Sequence, residues 1–319
     1  MRVPAELPPD LGDVFSVRKA VESGVGEGRL RGADLESPFH GVRRMRAEAP
    51  EQTPDSARAH ALGLAGAYAQ RMSSEEFFSH ETAALIWGAP LPASAFGDPH
   101  VSVRAPGRTP RARGVVGHTV RPEMVRIGTR NGMRVASPAS TWAMLGGLEL
   151  YDLVAVGDFF VRVHRSEGYF RVNPGKPPLA TQGQLRSALD AGRRRGAANL
   201  RAALPRIRVD SWSRTETWTR LILGDAGLPE PVLNADYYDD FGMFLACLDL
   251  SYPEFKVAIE YEGGHHRDGK QFARDIDRLN RLVEQGWRVV QVSARLVFRD
   301  PLELARRVQL ALLERGWKP

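Results

Sequence analysis

Three acidic residues in the C-terminal third have types and spacing suited to binding a metal ion. Asp249 closes an apolar run, and Glu260 and Glu262 are two positions apart at the end of a run that begins at Val257. Side chains two apart on a strand point to the same face. Neighbouring carboxylates raise each other's pKa unless a cation lies between them, and hard oxygen ligands suit Mg²⁺ or Mn²⁺. The pattern favours Asp249, Glu260 and Glu262 as ligands of Mg²⁺ or Mn²⁺; the alternative is an edge strand whose solvated glutamates pair with arginines.

Other polar residues near these carboxylates suit the hydrolysis of a phosphodiester. Glu216 lies on a predicted helix upstream, and His265 and His266 follow the acidic strand after two glycines. A metal ion held by carboxylates activates water and stabilises charge on a phosphate. Histidine transfers protons near neutral pH, so His265 or His266 is a candidate proton-transfer group; the alternative is an inert loop histidine.

The surrounding pattern predicts the elements that would position these groups. Ser213 can cap a helix that runs to about Asp225, and Val232 begins a short strand. Two longer extended runs, 241–250 and 255–263, are joined by a proline turn and predict a β-hairpin. The order is completed by a helix over 270–285, a buried strand over 287–292 and a helix over 299–315.

This order of elements resembles the PD-(D/E)XK nuclease core, and more narrowly the Vsr-like domain family of bacteria, which is related to very-short-patch-repair endonucleases. The resemblance covers residues 211–319. It is carried by Ser213, Glu216, Leu248-Asp249, Ile259 to Gly263, His266, Asp275, Arg278 and Gly286 to Val290. It implies an endodeoxyribonuclease that uses Mg²⁺ or Mn²⁺, with Glu216 and Asp249 as core acids and Glu260 as a further acid of the site.

Glu262 departs from the general pattern of that core, which has lysine at this position. The Vsr-like relatives usually have aspartate there, so Glu262 is longer by one methylene. Water would then be activated by the metal, by a histidine such as His266, or by Glu262 itself, and these alternatives stay open. On the following helix Arg274 and Arg278 are candidates for phosphate contact, and Arg278 could instead pair with Asp275.

The first fifty residues have the order of a winged helix. Val14, Val17 and Val21 recur at helical spacing, a second helix is predicted over about 27–35, and a basic extended segment covers 38–44. In a winged helix the second helix of the turn enters a DNA groove. The alternative is a small helical cap packed on its neighbour. The residues that would contact nucleic acid are Arg29, Arg31, Arg43 and Arg44.

The N-terminal half resembles the AbiEi-type antitoxin and regulator proteins of bacteria. The resemblance is carried by Phe15 to Arg44, Ser79 to Ala84, Ser137 to Trp142 and Ala155 to Asp158. It implies an N-terminal winged helix that binds DNA.

Charge is distributed unevenly along the 319 residues. Residues 101–208 carry 19 basic and 6 acidic side chains, a net charge of +13, whereas residues 1–100 and 209–319 have net charges of −4 and −3. A basic middle region suits a polyanion such as DNA; the alternative is a solvated arginine-rich surface. Cys247 is the single cysteine, which excludes an intrachain disulfide and a cysteine-based zinc site and fits a reducing cytoplasm.

These patterns predict an α/β protein of α+β type in four parts: a winged helix over 1–50, a basic α+β domain over 51–171, a basic helical linker over 172–210 and a PD-(D/E)XK domain over 211–319. No apolar run approaches the ~18 residues of a membrane span, so a cytoplasmic location without membrane association is expected. The expected partner is DNA, with a homodimer or a partner protein encoded nearby left open.

The expected function is a metal-dependent DNA endonuclease that nicks or cleaves phosphodiester bonds in repair, defence or a toxin–antitoxin system. The alternative is a non-catalytic DNA-binding transcriptional regulator of antitoxin type with a degenerate nuclease fold, since a fold does not determine a function.

Overall fold

The computed structural model describes residues 5–46, 53–163, 177–262 and 278–319. The contacts divide the chain into two compact units, each made of separate segments: Met1–Gly147 with Gly183–Leu200, and Leu148–Gln182 with Arg201–Pro319. Both units combine helices with sheets, and the sheets contain antiparallel and parallel pairs. The α+β class expected from the sequence is thereby confirmed.

The first unit contains a three-stranded sheet and a five-stranded sheet. Its strands are β1 Val14–Ser16, β2 Leu35–Glu36, β3 Val42–Met45, β4 Phe77–Phe78, β5 His100–Arg104, β6 Val116–Val120, β7 Ile127–Arg130 and β8 Met133–Ala136. Its helices are α1 Val17–Glu22, α2 Pro54–Ala69, α3 His80–Trp87, α4 Pro138–Met144 and α6 Gln182–Asp190, and α7 Ala197–Ala203 crosses into the second unit.

Helix α3 contacts β5 and β8, the two strands on either side of the central strand β4 of the larger sheet. The small sheet is antiparallel with order β1-β3-β2, and the larger has order β6-β5-β4-β8-β7. Within the larger sheet β4 is parallel to β8 and β5 is parallel to β6. Phe77, Phe78 and Val101 are fully buried, because these short strands are covered on both faces.

The N-terminal segment has the predicted basic strand but not the predicted second helix. The first helix begins only at Val17, because residues 14–16 pair with β3 as a strand. The helix predicted over 27–35 is one 3-10 turn, Arg29–Arg31. Two hydrogen bonds of 2.9 and 2.6 Å tie the side chain of Arg29 to Asp34, which lies beyond the end of this turn. Glycine disfavours helix interiors, and the segment contains Gly26, Gly28 and Gly32.

The second unit is built on one four-stranded sheet. Its strands are β9 Val232–Tyr238, β10 Phe244–Tyr252, β11 Val257–Glu262 and β12 Arg288–Ser293, in the order β12-β11-β10-β9. Strands β9, β10 and β11 are antiparallel, and β12 runs parallel to β11. The helices are α5 Leu150–Val161, α8 Arg214–Asp225, α9 over residues 278–284, α10 Ala294–Arg299 and α11 Pro301–Glu314.

The hairpin predicted from the acidic motif is formed by β10 and β11. Leu250 is opposite Ile259, and Tyr252 is opposite Val257. Because β10 continues to Tyr252, Asp249 lies within the strand and not at its end as the sequence indicated. The core beneath the hairpin consists of Val257, Ile259, Val290 and Val292 with Leu223, Leu304 and Val308, all buried.

The helices after the hairpin differ in detail from the prediction. The helix predicted over 270–285 is described from residue 278 as α9, on which Leu282 is buried and the apolar Val283 is 60% exposed. The closing helix predicted over 299–315 is observed as α11. A further short helix, α10, precedes it and was not predicted; Pro301 separates the two because it has no N–H to continue the hydrogen bonds of α10. Among the described residues no helix is long and apolar enough to cross a membrane.

The predicted domain boundary at 171/172 does not match the contacts. Helix α5, assigned from sequence to the middle domain, packs on α8 of the second unit. Asp152 Oδ1 accepts hydrogen bonds from Arg214 Nε at 2.6 Å and Trp218 Nε1 at 2.9 Å. The second unit therefore includes residues from Leu148, and the predicted linker 172–210 is divided between the two units. Asp158 of α5 is likewise bonded to α8, by Thr217 Oγ1 at 2.8 Å and Arg220 Nη2 at 3.2 Å, so both buried aspartates of α5 have partners on that helix.

Candidate active site

Buried carboxylates cluster in the second unit near the contact of α8 with β10. Glu216 of α8 is 7% exposed and Glu260 of β11 is 6% exposed. Asp249 of β10 is partly buried and lies across the hairpin from Glu260. The fold therefore brings together three acids that are far apart in the sequence and were predicted to belong to one site.

Glu216 is fixed at the first turn of α8. Ser213 caps this helix as predicted, since its Oγ accepts a hydrogen bond from the N–H of Glu216 at 3.1 Å. In return Glu216 Oε2 accepts hydrogen bonds from the N–H of Trp212 at 2.8 Å and from Asn234 Nδ2 at 2.6 Å. These bonds hold the carboxylate in one orientation and partly offset its loss of hydration.

Asp249 and Glu260 interlock across the β10–β11 hairpin. Asp249 N–H donates to Glu260 Oε1 at 3.4 Å, and Tyr261 N–H donates to Asp249 Oδ2 at 3.0 Å. Arg278 of α9 closes the group, with its Nη2 donating to Glu260 Oε2 at 2.7 Å. The arrangement is a carboxylate pair with one cation at its side.

Burial raises the pKa values of all three acids, and the charge of Asp249 adds to the shifts of Glu216 and Glu260. Burial, followed by the charge of Asp249, raises the pKa of Glu216 to about 7. The same two causes raise the pKa of Glu260 to about 7, against the opposing effect of Arg278. Burial also raises the pKa of Asp249, while the Tyr261 N–H and Arg278 lower it. Burial thus brings the pKa values of Glu216 and Glu260 near neutrality and holds the pKa of Asp249 above its ordinary value.

The donor set fits a hard divalent cation at two of the three acids. Carboxylate oxygens are the ligands that Mg²⁺ and Mn²⁺ prefer, and a cation at Asp249 and Glu260 would stabilise the charged forms that burial disfavours. Among the described residues, no three carboxylates each bring an oxygen within 4.8 Å of the others. The residues therefore offer a two-carboxylate site at Asp249 and Glu260, with Glu216 at its border.

The remaining predicted site residues are less closely associated with this pair. Glu262 is exposed at the end of β11 and does not complete a set of three close carboxylates within the described part of the chain. His265, His266 and Arg274 lie outside the described residues. Arg278 is described, and its guanidinium bonds Glu260.

Arg162, directly after α5, is a cation near Glu216 that the sequence did not single out. Its Nη1 donates to the carbonyl of Trp212 at 3.1 Å. Its Nε is buried and has no hydrogen-bond partner within the described residues. Burial lowers the pKa of Arg162, and the charge of Glu216 opposes that shift. Glu216 therefore has a nearby counter-charge that would help to keep it ionised.

All four N-terminal arginines expected to contact nucleic acid have partners within the first unit. Arg31 pairs with Glu27 at 3.3 Å, but both side chains are more than three-quarters exposed. Arg31 is therefore the most accessible of the four, and the expected DNA contacts of the others would require exchange of partners. Those partners are Asp34 for Arg29, Glu36 for Arg44 and the Leu30 carbonyl for Arg43.

A group of three histidines in the first unit was not anticipated. His80, His100 and His118 each offer a ring nitrogen, and these three atoms lie within 4.8 Å of one another. Intervals of 20 and 18 residues separate them along the chain. No local spacing signals such a cluster, and finding it from sequence would require the pairing of β5 with β6 and the position of α3.

The raised pKa of Glu216 predicts a pH-dependent stability. A carboxyl whose folded pKa is about 7 instead of 4.5 favours the folded state fully below pH 4.5, and this contribution is lost as pH rises through 7. We expect the free energy of unfolding in EDTA to fall between pH 5 and pH 8, by on the order of 3 kcal/mol from this group. Urea denaturation at both pH values measures it.

Substitution of Glu216 isolates this contribution. Gln at 216 keeps the acceptor for Trp212 and Asn234, so the Glu216→Gln variant should fold and show a flatter pH dependence. Glu254→Gln, at an exposed position in the hairpin turn, should retain the wild-type pH dependence. An equal pH dependence in Glu216→Gln and wild type would show that Glu216 titrates normally.

The chain is similar over part of its length to two uncharacterized proteins of Mycobacterium tuberculosis, from strains H37Rv and CDC 1551. Each is 33% identical to it over 116 residues, a segment that covers 36% of this chain and 42% of the relative. The chain thus matches less than half the length of these relatives. No family model matches the chain. No solved structure matches it significantly.

Proposed function

We propose that the second unit is a metal-dependent DNA endonuclease that nicks or cleaves phosphodiester bonds. The observation that carries the proposal is the convergence of the buried Glu216 and Glu260 with the partly buried Asp249, at the contact of α8 with the hairpin. Buried carboxylates cost stability unless they are paired or bind a cation. Acids with strongly perturbed pKa values are typical of functional sites.

Asp249 and Glu260 would hold Mg²⁺ or Mn²⁺ in this proposal. A bound ion would supply charge stabilisation for the phosphate and a water of lowered pKa. Arg278 favours the ionised form of Glu260 through its 2.7 Å hydrogen bond and so opposes the effect of burial. Glu216 is a positioning residue, because its bonds to Trp212 and Asn234 fix it at the border of the pair. The group that takes the proton from water stays open among the metal, a histidine and Glu262.

DNA affinity would come chiefly from outside the carboxylate site. Residues 209–319 have a net charge of −3, whereas residues 101–208 have a net charge of +13. Neutralising phosphates with arginine and lysine releases counterions and supplies most sequence-independent affinity. Binding to DNA should therefore weaken steeply as salt concentration increases.

Incubation of the full chain with supercoiled plasmid tests the proposal. We expect conversion to the nicked or linear form in Mg²⁺ or Mn²⁺ and none in EDTA. The Asp249→Asn variant should lose the activity, and Glu254→Gln should retain it. Metal-dependent nicking at the wild-type rate in Asp249→Asn would contradict the assignment of the site. If no preparation of the wild-type protein cuts any DNA tested, the proposed nuclease activity is contradicted.

A second candidate is a non-catalytic DNA-binding regulator of antitoxin type that keeps the nuclease fold as a binding module. The observation that favours it is the ion pair of Arg278 with Glu260, which satisfies one of the two proposed ligands internally. The acidic residue at 262 in place of lysine also favours it. Under this proposal a gel-shift assay with DNA from upstream of the coding sequence shows binding, and no DNA is cut. A cytoplasmic location and a role in repair, defence or a toxin–antitoxin system belong to both proposals.

A further inference from the structure

The histidine cluster of the first unit has ring nitrogens at distances suited to a common ligand. His100 Nδ1 lies 3.0 Å from His118 Nε2. The His80 ring stacks on the His118 ring with centroids 4.0 Å apart. Zinc–nitrogen bonds of ~2.0–2.1 Å in a tetrahedral site place ligand nitrogens roughly 3.3 Å apart. The separation of the His100 and His118 nitrogens is close to that value.

Three separate elements converge to form the cluster. His80 begins α3, His100 begins β5, and His118 lies in the edge strand β6. His80 has a φ of 51°, a left-handed conformation that is rare for a residue other than glycine. Such a conformation persists only where surrounding structure enforces it, and it often marks a functional site.

One nitrogen of His80 is occupied and the other is left for a ligand. Ser79 Oγ lies 2.9 Å from His80 Nδ1, and Ser102 Oγ donates to Ser79 Oγ at 2.7 Å. This chain of hydroxyls orients the ring, as outer hydrogen bonds do for metal-binding histidines. Burial lowers the pKa values of His80, His100 and His118, which keeps the imidazoles in the neutral form that binds metals.

Glu81 supplies a carboxylate beside the imidazoles. Its Oε2 is buried, lies 3.5 Å from His100 Nδ1 and makes no hydrogen bond within the described residues. Glu81 is not part of the mutually close set of three, so rotation of its side chain is needed to reach a fourth position.

We infer that His80, His100 and His118 bind one transition-metal ion of the Zn²⁺ class, with Glu81 as the fourth ligand. Three neutral imidazoles select Zn²⁺, Co²⁺ or Ni²⁺ over Mg²⁺, which prefers oxygen donors. With Glu81 in the fourth position the site is closed, which is the arrangement of structural zinc sites. The ion ties α3 and the edge strand β6 to β5, so its role is to stabilise the first unit. This site is distinct from the carboxylates of the second unit.

Metal titration of the full chain tests the inference. After EDTA treatment and dialysis, we expect one equivalent of Co²⁺ to give the visible absorption bands of a tetrahedral site and Zn²⁺ to displace it. Zn²⁺ should also raise the melting temperature, because it binds only the folded form. His118→Ala and His118→Gln should each bind Zn²⁺ at least ~100-fold more weakly, and Glu81→Gln about 10–100-fold more weakly.

Matched variants identify the site that binds. His60→Ala removes an exposed histidine of α2 and should bind Zn²⁺ as the wild type does. Asp249→Asn should also retain the Co²⁺ bands, because the carboxylate site lies in the other unit. Far-UV circular dichroism checks that each variant is folded. Absence of Co²⁺ bands in the wild type, or wild-type Zn²⁺ affinity in both folded His118 variants, would overturn the inference.

Discussion

Replacing Asp249 with asparagine is expected to remove nuclease activity and at the same time stabilise the fold. Asparagine keeps an oxygen to accept the 3.0 Å hydrogen bond from Tyr261 N–H but carries no charge. One proposed metal ligand is then lost. We expect the nicking rate to fall by at least ~10²–10³-fold, which is the typical effect of removing from an active site one group that stabilises charge in the transition state.

Stability should change in the opposite direction because Asp249 is an unfavourable neighbour of the other acids. Its charge raises the pKa values of both Glu216 and Glu260. Removing it relieves this repulsion, and at pH 7.5 in EDTA we expect the free energy of unfolding to rise by about 1 kcal/mol. Plasmid nicking and urea denaturation of the same preparation measure the two effects.

The combination distinguishes a functional carboxylate from a structural one. If Asp249 mainly stabilised the hairpin, Asp249→Asn would lose stability and activity together. The Glu254→Gln control should leave both quantities unchanged. A destabilised Asp249→Asn variant would therefore contradict the proposal that these carboxylates serve a function and lower the stability of the fold.

Replacing Arg220 with methionine is expected to be the most destabilising of the substitutions considered. Arg220 of α8 and Asp158 of α5 form an ion pair at 3.2 Å, with side-chain exposures of 4% and 1%. Removing the cation leaves a buried carboxylate unpaired, which costs about 3–5 kcal/mol. Urea denaturation at pH 7.5 measures the loss, and Arg306→Met, at an exposed pair on α11, should leave stability close to that of the wild type.

Two further measurements identify the cause of the Arg220→Met effect. Burial raises the pKa of Asp158 to about 6, so at pH 5 the carboxyl is largely protonated and the loss should be smaller. The double variant with Asp158→Asn should recover much of the stability, because it leaves no buried charge. Additive losses in the double variant would show that the two residues act independently.

Much of the second unit follows from local sequence. Ser213 and Glu216 predict the start of α8, and the apolar run from Val257 to Ile259 predicts β11 and its buried start. The convergence of Asp249 with Glu260 follows from the hairpin turn at Pro253. These features depend on residues close together along the chain, which is why the pattern alone predicts them.

Features that depend on distant residues were not predictable in this way. The segment 27–35 has helical spacing, but its glycines and the Arg29–Asp34 clamp limit it to one turn. The partners of Asp158 lie about 60 residues further along the chain, so its sequence gives no sign that α5 belongs with α8. The histidine cluster requires the register of β5 with β6, which no periodicity encodes.

The division of the chain also limits how this protein can be rearranged by recombination. The path leaves the first unit after Gly147, returns at Gly183 and leaves again after Leu200. A single crossover between genes therefore cannot exchange one unit intact. A join within the predicted linker, 172–210, would separate α5 from α8, which carries the partners of Asp158. Lineages that retain the second unit should inherit residues from Leu148 onward as one block, with the intervening segment of the first unit carried along.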